Sequence, residues 1–288
     1  MTVGMTMLNR LFSNSTLRNL LRYGYDEAYK EVIARYFPHA VLNSNQEVFA
    51  SSYEMLGTSY RNEYYYKNTV INKILLGRHS LNTTTAISEL PIAGSKADLI
   101  MINGSATVYE IKTELDTLER LDSQVRDYYK AFDKVCVVTS EKHYEKLECL
   151  FSDSNVGISV LTRQNTISPR KPALSDPSFL ETETMFGILR KQEYESVLLK
   201  HFGWLPDVVP VRYYRECKAM FGQLNPHQAY EHMLGELRLR NQTDSHAFKS
   251  LVPYELKSLV YFSSFNNDDY AELNAFLKRG IHDVLSIS

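Results

Sequence analysis

The chain has 288 residues, of which 44% are hydrophobic and 23% are charged, a composition typical of a soluble globular protein with about two domains. Twelve glycines and nine prolines are too few for a long disordered tail. No stretch approaches the ~18 consecutive apolar residues of a membrane span, and the start, MTVGMTMLNRLFSNS, lacks the apolar stretch and cleavage site of a signal peptide. We therefore expect a cytoplasmic protein that does not enter a membrane.

The near-neutral charge limits how the protein can interact with nucleic acid. The sequence holds 32 basic and 34 acidic residues, a formal net charge of −2. A protein that coats nucleic acid nonspecifically carries a clear basic excess, so this balance argues against that class. The acid excess is concentrated in residues 86–165, which hold 13 acidic and 9 basic residues. The charge count therefore leaves room for a local, acidic site in this block.

The first part of the chain has the periodicity of amphipathic helices. Apolar residues spaced three and four apart predict a helix from Met5 to about Phe37, where Pro38 ends it. The same spacing predicts a second helix over Arg61–Leu76. The period then changes from about 3.6 residues to about 2, which is the alternation of β-strands. Three strands are predicted, at residues 84–92, 96–102 and 106–113.

Helices and buried strands alternate over the next stretch. A helix is predicted over Thr117–Phe132, because Asp116 and Glu119 have capping-box spacing and an apolar stripe follows. A strand, a helix and a strand are then predicted at residues 134–140, 141–151 and 156–162. This order predicts a mixed α/β sheet flanked by helices.

The last part of the chain is predicted to be a linker followed by helices. Residues 164–180 concentrate prolines and small polar residues, which is typical of a long loop. Helical segments follow near residues 182–202, 212–222, 226–241, 253–264 and 267–285. We therefore divide the chain into an N-terminal helical arm (1–56), an α/β core (57–166), and a linker with a mainly helical C-terminal region (167–288).

Charged residues on two neighbouring predicted strands form the most informative pattern in the sequence. Asp98 lies in the strand KADLIMI, and Glu110 and Lys112 lie in the next strand, ATVYEIKT. Because side chains alternate along a strand, Glu110 and Lys112 share one side. One carboxylate on each of two strands makes an oxygen-lined site suited to Mg²⁺ or Mn²⁺, beside which a lysine can orient the attacking water. These parts suit phosphodiester hydrolysis.

The spacing of these residues resembles the PD-(D/E)XK nuclease superfamily, whose core is restriction-endonuclease-like. The matching residues are Asp98 and, after eleven intervening residues, Glu110-Ile111-Lys112. The family often has proline before the aspartate, where this chain has Ala97. The resemblance covers about residues 61–162 and says nothing about either end of the chain.

Two further features resemble the family. Gln124 and Tyr128, on the predicted helix after the strands, resemble the QxxxY motif of the RecB-like branch. Glu63 resembles the acidic residue that many members carry on the helix before the sheet, and Glu89 on the first strand competes with it for that role. The resemblance implies that Glu63, Gln124 and Tyr128 support the catalytic residues.

The resemblance implies a fold, a cofactor and a reaction. The fold would be a restriction-endonuclease-like αβββαβ mixed sheet flanked by helices. Asp98, Glu110 and the Ile111 carbonyl would bind Mg²⁺ or Mn²⁺, and Lys112 would position or activate the attacking water. The activity would be divalent-metal-dependent hydrolysis of phosphodiester bonds, with DNA as the substrate.

The site requires a particular register in the hairpin that joins the two strands. If Asn103-Gly104 formed a strict two-residue turn, Asp98 would pair with Tyr109 and lie on the opposite face from Glu110. Both carboxylates must share a face to bind one metal ion. We therefore predict a loop with an odd number of residues, as in a type I turn with a glycine bulge at Gly104, or a bulge further along the strands.

The helix before the sheet carries positive charges and tyrosines that could contact nucleic acid. We predict phosphate contacts for four basic residues: Arg61, Lys67, Lys73 and Arg78. The aromatic runs Tyr64–Tyr66 and Tyr128–Tyr129 could stack on exposed bases, or they could cover half-buried surface, which is the interpretation we prefer.

Alternative functions stay open at this point. A nuclease-like core can lose catalysis and act as a module that binds nucleic acid or a protein partner. The helical ends could also bind a protein partner or form a homodimer. The sequence distinguishes neither DNA from RNA nor endonucleolytic from exonucleolytic cleavage.

Overall fold

A computed structural model of the protein describes residues 3–38, 42–240 and 243–281. The chain divides into two compact units, one formed by Met1–Asn82 with Gln242–Ser288 and one formed by Thr83–Asn241. Each of the three segments predicted from the sequence (1–56, 57–166 and 167–288) is continuous in the chain. The first unit of the structure, by contrast, combines the N-terminal and C-terminal parts of the chain. Within the described residues, no helix is both long enough and apolar enough to cross a bilayer.

The first unit begins with three short helices where the sequence predicts one long helix. They are α1 (Val3–Leu11), α2 (Asn14–Tyr23) and α3 (Glu27–Tyr36). Ser13 and Asp26 cap the second and third helices by accepting backbone N–H groups, and Gly24 ends α2 with a left-handed φ of 69°. The prediction of a continuous helix was wrong because these local capping interactions interrupt a continuous apolar pattern.

The helix predicted over residues 61–76 is confirmed, with a wider turn in its second half. After α4 (Asn45–Ser59), the chain forms α5 (Glu63–Val70), a π-helical turn (Ile71–Leu75) and α6 (Leu76–Arg78). Tyr65 and Tyr66 are buried, and the Tyr64 hydroxyl donates to the Glu255 carbonyl at 2.6 Å. These tyrosines therefore pack inside the unit, which agrees with the interpretation that we preferred. Tyr65 and Tyr66 are not available for base stacking.

The second unit is built on one six-stranded mixed sheet with the strand order β1-β2-β3-β4-β5-β6. The strands are β1 (Thr85–Ile92), β2 (Ser95–Asn103), β3 (Ser105–Lys112), β4 (Val135–Thr139), β5 (Gly157–Leu161) and β6 (Ile167–Lys171). The first three strands are antiparallel, β3, β4 and β5 run parallel, and β6 returns antiparallel. The predicted mixed α/β architecture, with helical regions on both sides in sequence, is confirmed.

Helix α7 (Leu121–Tyr129) follows β3 and is shorter than the predicted helix over residues 117–132. Asp116 does not cap it. Its Oδ2 atom instead accepts from the backbone N–H of Thr113, at 2.7 Å, and from the Thr113 hydroxyl, at 2.8 Å. The predicted capping box was wrong because the carboxylate closes the turn that leaves β3. The next helix, α8 (Glu141–Leu150), ends one residue before its predicted end.

The predicted linker over residues 164–180 contains the sixth strand and a 3-10 turn (Pro177–Phe179). Proline inside a strand favours loop in the sequence pattern, but an edge strand tolerates it because the missing N–H can face away from the sheet. Pro169 is exposed on β6, which lies at the edge.

The helices after the sheet complete the apolar core of the second unit. They are α9 (Thr182–Ile188), α10 (Lys191–Phe202), α11 (Pro210–Phe221) and α12 (Pro226–Arg238). One face of the sheet packs with these helices, α7 and α8 around buried residues that include Ile100, Val108, Val137, Phe132, Phe186 and Phe221. This packing fixes α7 against β2 and β3, where the predicted site residues lie.

The chain returns to the first unit for its last helices. They are α13 (Ser245–Leu251), α14 (Lys257–Tyr261) and α15 (Asn267–Lys278), with a 3-10 turn at Tyr254–Leu256. The helix predicted over residues 267–285 is confirmed up to Lys278, and residues 282–285 lie outside the described part of the chain.

Candidate functional site

The hairpin between β2 and β3 has the register that the site requires. Asn103 pairs with Ser105, and Gly104 alone lies between them with a left-handed φ of 72°. The loop therefore has an odd number of residues, as predicted. The last pair of this ladder is Leu99 with Tyr109, and one step further along the same register places Asp98 opposite Glu110.

Glu110 is the centre of a buried hydrogen-bond network. Its side chain is 1% exposed. Its Oε1 atom accepts from Lys112 Nζ at 2.7 Å and from Gln124 Nε2 at 2.7 Å, and its Oε2 atom accepts from the Tyr128 hydroxyl at 2.6 Å. Lys112 Nζ also donates to Gln124 Oε1 at 3.0 Å. The structure thus brings together the four residues predicted from the ExK and QxxxY spacings.

Helix α7 places the side chains of Gln124 and Tyr128 next to Glu110, because these two residues are four apart and share a helical face. The Tyr128 hydroxyl also lies 3.0 Å from the Lys96 carbonyl. Burial raises the pKa of the Tyr128 phenol well above its ordinary value, and the adjacent Glu110 carboxylate raises it further. Tyr128 therefore stays protonated and can donate to the carboxylate at any working pH.

Asp98 is half-buried and lies against the Glu110-Ile111-Lys112 part of strand β3. Its Oδ2 atom accepts from the backbone N–H of Ile111 at 2.7 Å. Glu89 lies across from it on β1, and oxygens of the two carboxylates lie within 4.8 Å of one another. Glu89 has a left-handed φ of 56° and pairs with Lys96 at 2.5 Å. In the second unit, Glu89 thus supplies a second carboxylate beside that of Asp98.

Glu63 belongs to the first unit, where it is the first residue of α5. Its side chain is 59% exposed and pairs with Lys67 at 3.1 Å, one helical turn away. The Glu63 carboxylate of this pair is open to solvent, whereas the Lys67 side chain is mostly covered. The supporting role of Glu63 at the site stays a prediction.

The four residues predicted to contact phosphate lie on or next to helices α5 and α6 of the first unit. Arg61 donates to the Gly57 carbonyl at 3.3 Å, and the Lys73 ammonium lies 5.9 Å from the centre of the Tyr254 ring. Lys67 is 13% exposed, and Arg78 is exposed. Their contact with nucleic acid stays a prediction.

Ser95 and Asp127 position α7, and the sequence pattern predicts this role for neither residue. The Ser95 hydroxyl donates to Asp127 Oδ2 at 2.7 Å, and Lys130 pairs with Asp127 Oδ1 at 3.2 Å. The first bond ties α7 to the start of β2. The sequence contains no signal for this bond, because its partners are 32 residues apart.

The donor set at the site has the chemistry that Mg²⁺ and Mn²⁺ prefer. Asp98, Glu110 and Glu89 supply carboxylate oxygens, and the Ile111 carbonyl follows Glu110 directly. Among the described residues, Glu110 Oε2 accepts one hydrogen bond, from Tyr128, so a lone pair is left for a metal ion. The residues present therefore fit a hard divalent cation.

Comparison with known proteins places the chain in a family. A profile described as "Bacteriophage P4 protein cII" matches residues 57–258, from the end of α4 to the start of α14. The chain belongs to the phage P4 cII family. "Protein cII" of Enterobacteria phage P4 is 28% identical over 176 residues, which cover 59% of this chain and 64% of the phage protein. The chain thus spans a little under two thirds of that relative's length. No solved structure matches the chain.

The cII family match includes the whole second unit. It therefore contains every residue of the Glu110 network, together with Asp98 and Glu89. It also contains α5, with Glu63 and the basic residues of the first unit.

Proposed function

We propose that this cII family protein is a divalent-metal-dependent nuclease that hydrolyses phosphodiester bonds of DNA. The observation that carries the proposal is the network around Glu110, in which Lys112, Gln124 and Tyr128 all donate to one buried carboxylate beside Asp98. A charged pair buried in a strand is costly unless its geometry is well satisfied or serves a task.

Each residue has a distinct part in this proposal. Asp98, Glu110 and the Ile111 carbonyl would hold Mg²⁺ or Mn²⁺, and Glu89 would add a further carboxylate. When bound, the ion supplies Lewis-acid polarisation of the phosphate and a more acidic water. Lys112 would orient the attacking water and donate to the developing negative charge, as its ammonium lies directly beside Glu110.

Gln124 and Tyr128 would act on Glu110 rather than on the substrate. Their hydrogen bonds fix the carboxylate in one orientation before any ligand arrives. Partners of this kind orient metal ligands, and their loss typically weakens metal affinity or activity about 10–100-fold.

The test is cleavage of single-stranded DNA, double-stranded DNA and RNA with Mg²⁺ or Mn²⁺. We expect DNA cleavage by the wild-type protein and a loss of at least about 100-fold in Lys112→Ala and Asp98→Asn. Lys146→Ala and Asp153→Asn are matched controls, since both residues are exposed on the same unit. Circular dichroism should show that every variant is folded.

Three results would contradict the proposal. One is the absence of cleavage of any substrate by folded wild-type protein. Another is cleavage that persists unchanged when the metal is chelated. The third is equal cleavage by the Lys112→Ala, Asp98→Asn and control variants.

A second function is favoured by one specific observation, the near-complete burial of Glu110 with both its oxygens engaged by protein donors. Such a network can serve stability alone, in a module that binds nucleic acid or a protein without cutting. This alternative predicts DNA binding, measured by fluorescence anisotropy, that is independent of metal and unchanged in Asp98→Asn. It also predicts no cleavage.

A further inference from the structure

Two histidines from different helices lie side by side on the second unit. His201 lies in the last turn of α10, and His232 lies in the middle of α12. Their ring centres are 5.8 Å apart, and their ring planes are nearly perpendicular, at 84°. His201 is exposed and His232 is half-buried, so a small ion can reach the pair from solvent.

The spacing of the two rings suits two ligands on one metal ion. A bond from Zn²⁺ to an imidazole nitrogen is about 2 Å long, which places two imidazole centres about 5–6 Å apart around a tetrahedral ion. Among the described residues, no hydrogen bond engages a ring nitrogen of either histidine. Imidazole suits Zn²⁺, Cu²⁺ and Ni²⁺, whereas Mg²⁺ prefers oxygen. The pair therefore offers nitrogen ligands for a transition-metal ion.

The surroundings of the histidine pair favour a cation. His201 lies at the carboxyl end of α10, where the helix dipole is negative. The charged side chains that act on His232 are Lys200, Glu231 and Glu236, one positive and two negative. Glu236 follows His232 by four residues on α12, so the two side chains share a helical face. The local charge is therefore negative while both imidazoles are neutral.

Contacts next to the pair hold the two helices together. The Glu236 side chain is 7% exposed. Its Oε1 atom accepts from Lys200 Nζ at 2.6 Å and from the Ser196 hydroxyl at 2.8 Å, and both donors lie on α10. The Phe202 ring packs edge-on against His201, with centres 4.6 Å apart. These contacts restrain the two imidazoles before any ion binds, so less conformational entropy is lost on binding.

We propose that His201 and His232 bind a transition-metal cation such as Zn²⁺, which links α10 to α12. Among the described residues, no acidic, cysteine or further histidine side chain joins the pair in a compact group of three ligands. Water therefore fills the remaining coordination positions. The proposal is independent of nuclease activity, since the site includes none of Asp98, Glu110 and Lys112 and its nitrogen ligands suit a different class of ion.

Calorimetric titration of the chelator-treated protein with Zn²⁺, in excess Mg²⁺, tests the proposal. We expect the wild-type protein to bind Zn²⁺. His201→Gln and His232→Gln should each weaken this binding at least about tenfold, because losing a ligand costs no less than losing a group that supports one. His227→Gln is the matched control, since His227 is an exposed histidine on the same helix, and it should bind Zn²⁺ like wild type. Circular dichroism should show that every variant is folded.

Thermal unfolding gives a second readout, because an ion that binds only the folded protein raises its melting temperature. Zn²⁺ should raise the melting temperature of the wild-type protein and of His227→Gln. It should leave the melting temperatures of His201→Gln and His232→Gln unchanged. Asp98→Asn separates this site from the proposed nuclease centre, because it should bind Zn²⁺ and respond to it like wild type.

Three outcomes would overturn the proposal. The folded wild-type protein could bind no Zn²⁺ in excess Mg²⁺. The two variants His201→Gln and His232→Gln could bind Zn²⁺ as tightly as wild type. Binding could also be lost in Asp98→Asn and kept in both histidine variants, which would assign the ion to the carboxylates of the proposed nuclease centre.

Discussion

Helices α5 and α7 are both rich in tyrosine, but their tyrosines have different structural roles. In α5, the Tyr65 ring stacks on Tyr53 with centroids 4.9 Å apart, and the Tyr64 ring stacks on Phe12 at 4.8 Å. The Tyr64 hydroxyl donates to the main-chain carbonyl of Glu255. In α7, the Tyr128 hydroxyl donates to the Glu110 carboxylate. Side-chain type alone therefore does not separate a packing tyrosine from one that orients a charged group.

The ion pairs of the two regions differ in the same way. Glu63 and Lys67 lie on one helix of the first unit, and the glutamate side chain is 59% exposed. Glu110 and Lys112 lie on one strand of the second unit, and the glutamate is 1% exposed. Solvent can reach the Glu63 carboxylate of the first pair, whereas burial shields the Glu110 carboxylate of the second. Burial, rather than sequence spacing, therefore decides how strongly a charged pair affects the free energy of unfolding.

The largest expected effect on stability comes from the two glutamates. Glu110→Ala should lower the free energy of unfolding by about 3–5 kcal/mol, because it removes a buried carboxylate and leaves the Lys112 ammonium without its charged partner. Glu63→Ala should lower it by less than about 1 kcal/mol, as expected for an ion pair on one helix whose carboxylate is exposed. Urea unfolding monitored by circular dichroism gives both values. Equal effects of the two substitutions would contradict the conclusion that burial makes the Glu110 pair more important for stability than the Glu63 pair.

A smaller effect distinguishes two adjacent tyrosines of α7. Tyr128→Phe should cost about 1.5–3 kcal/mol, because it removes a hydrogen bond to a buried carboxylate. Tyr129→Phe is the matched control. The Tyr129 hydroxyl is buried and has no hydrogen-bond partner among the described residues, so its removal should be neutral or stabilising. Chemical denaturation of both variants gives their free energies of unfolding. A loss in Tyr128→Phe alone would show that the contact with the carboxylate, rather than the ring, accounts for the difference.

The smallest effect is a pH dependence that Tyr129 contributes. Burial raises the pKa of its phenol to about 12, with the nearby Asp176 and Asp133 adding to the shift. A raised pKa in the folded state gives stability that is complete below pH ~10 and is lost as the pH rises toward ~12. The wild-type protein should therefore lose about 1 kcal/mol relative to Tyr129→Phe between pH 9 and pH 11. Urea unfolding of both proteins at the two pH values measures this difference, and parallel curves would contradict it.

Much of the second unit could be read from the sequence because its elements are regular. The three antiparallel strands appear within one residue of their predicted ends, since the change of period from helix to strand is a local property. The odd-numbered loop at Gly104 was predicted from side-chain parity together with the requirement that Asp98 and Glu110 share a face, with a bulge further along the strands as the alternative. Two of the errors, the continuous helix through Gly24 in the first unit and the loop predicted where β6 lies in the second, occur where local capping or an edge position overrides the pattern.

The amino-acid sequence by itself determined the α/β class and the placement of Glu110 and Lys112 on one side of their strand, because strand alternation is set by neighbours in the chain. The single-residue loop at Gly104 in the structure decided the register that places Asp98 opposite Glu110. Only the tertiary structure decided that Gln124 and Tyr128 donate to Glu110, that Ser95 holds α7 in place, and that Glu89 lies beside Asp98. The physical reason is that hydrogen bonds between distant segments depend on how helices pack on the sheet, which no local spacing encodes.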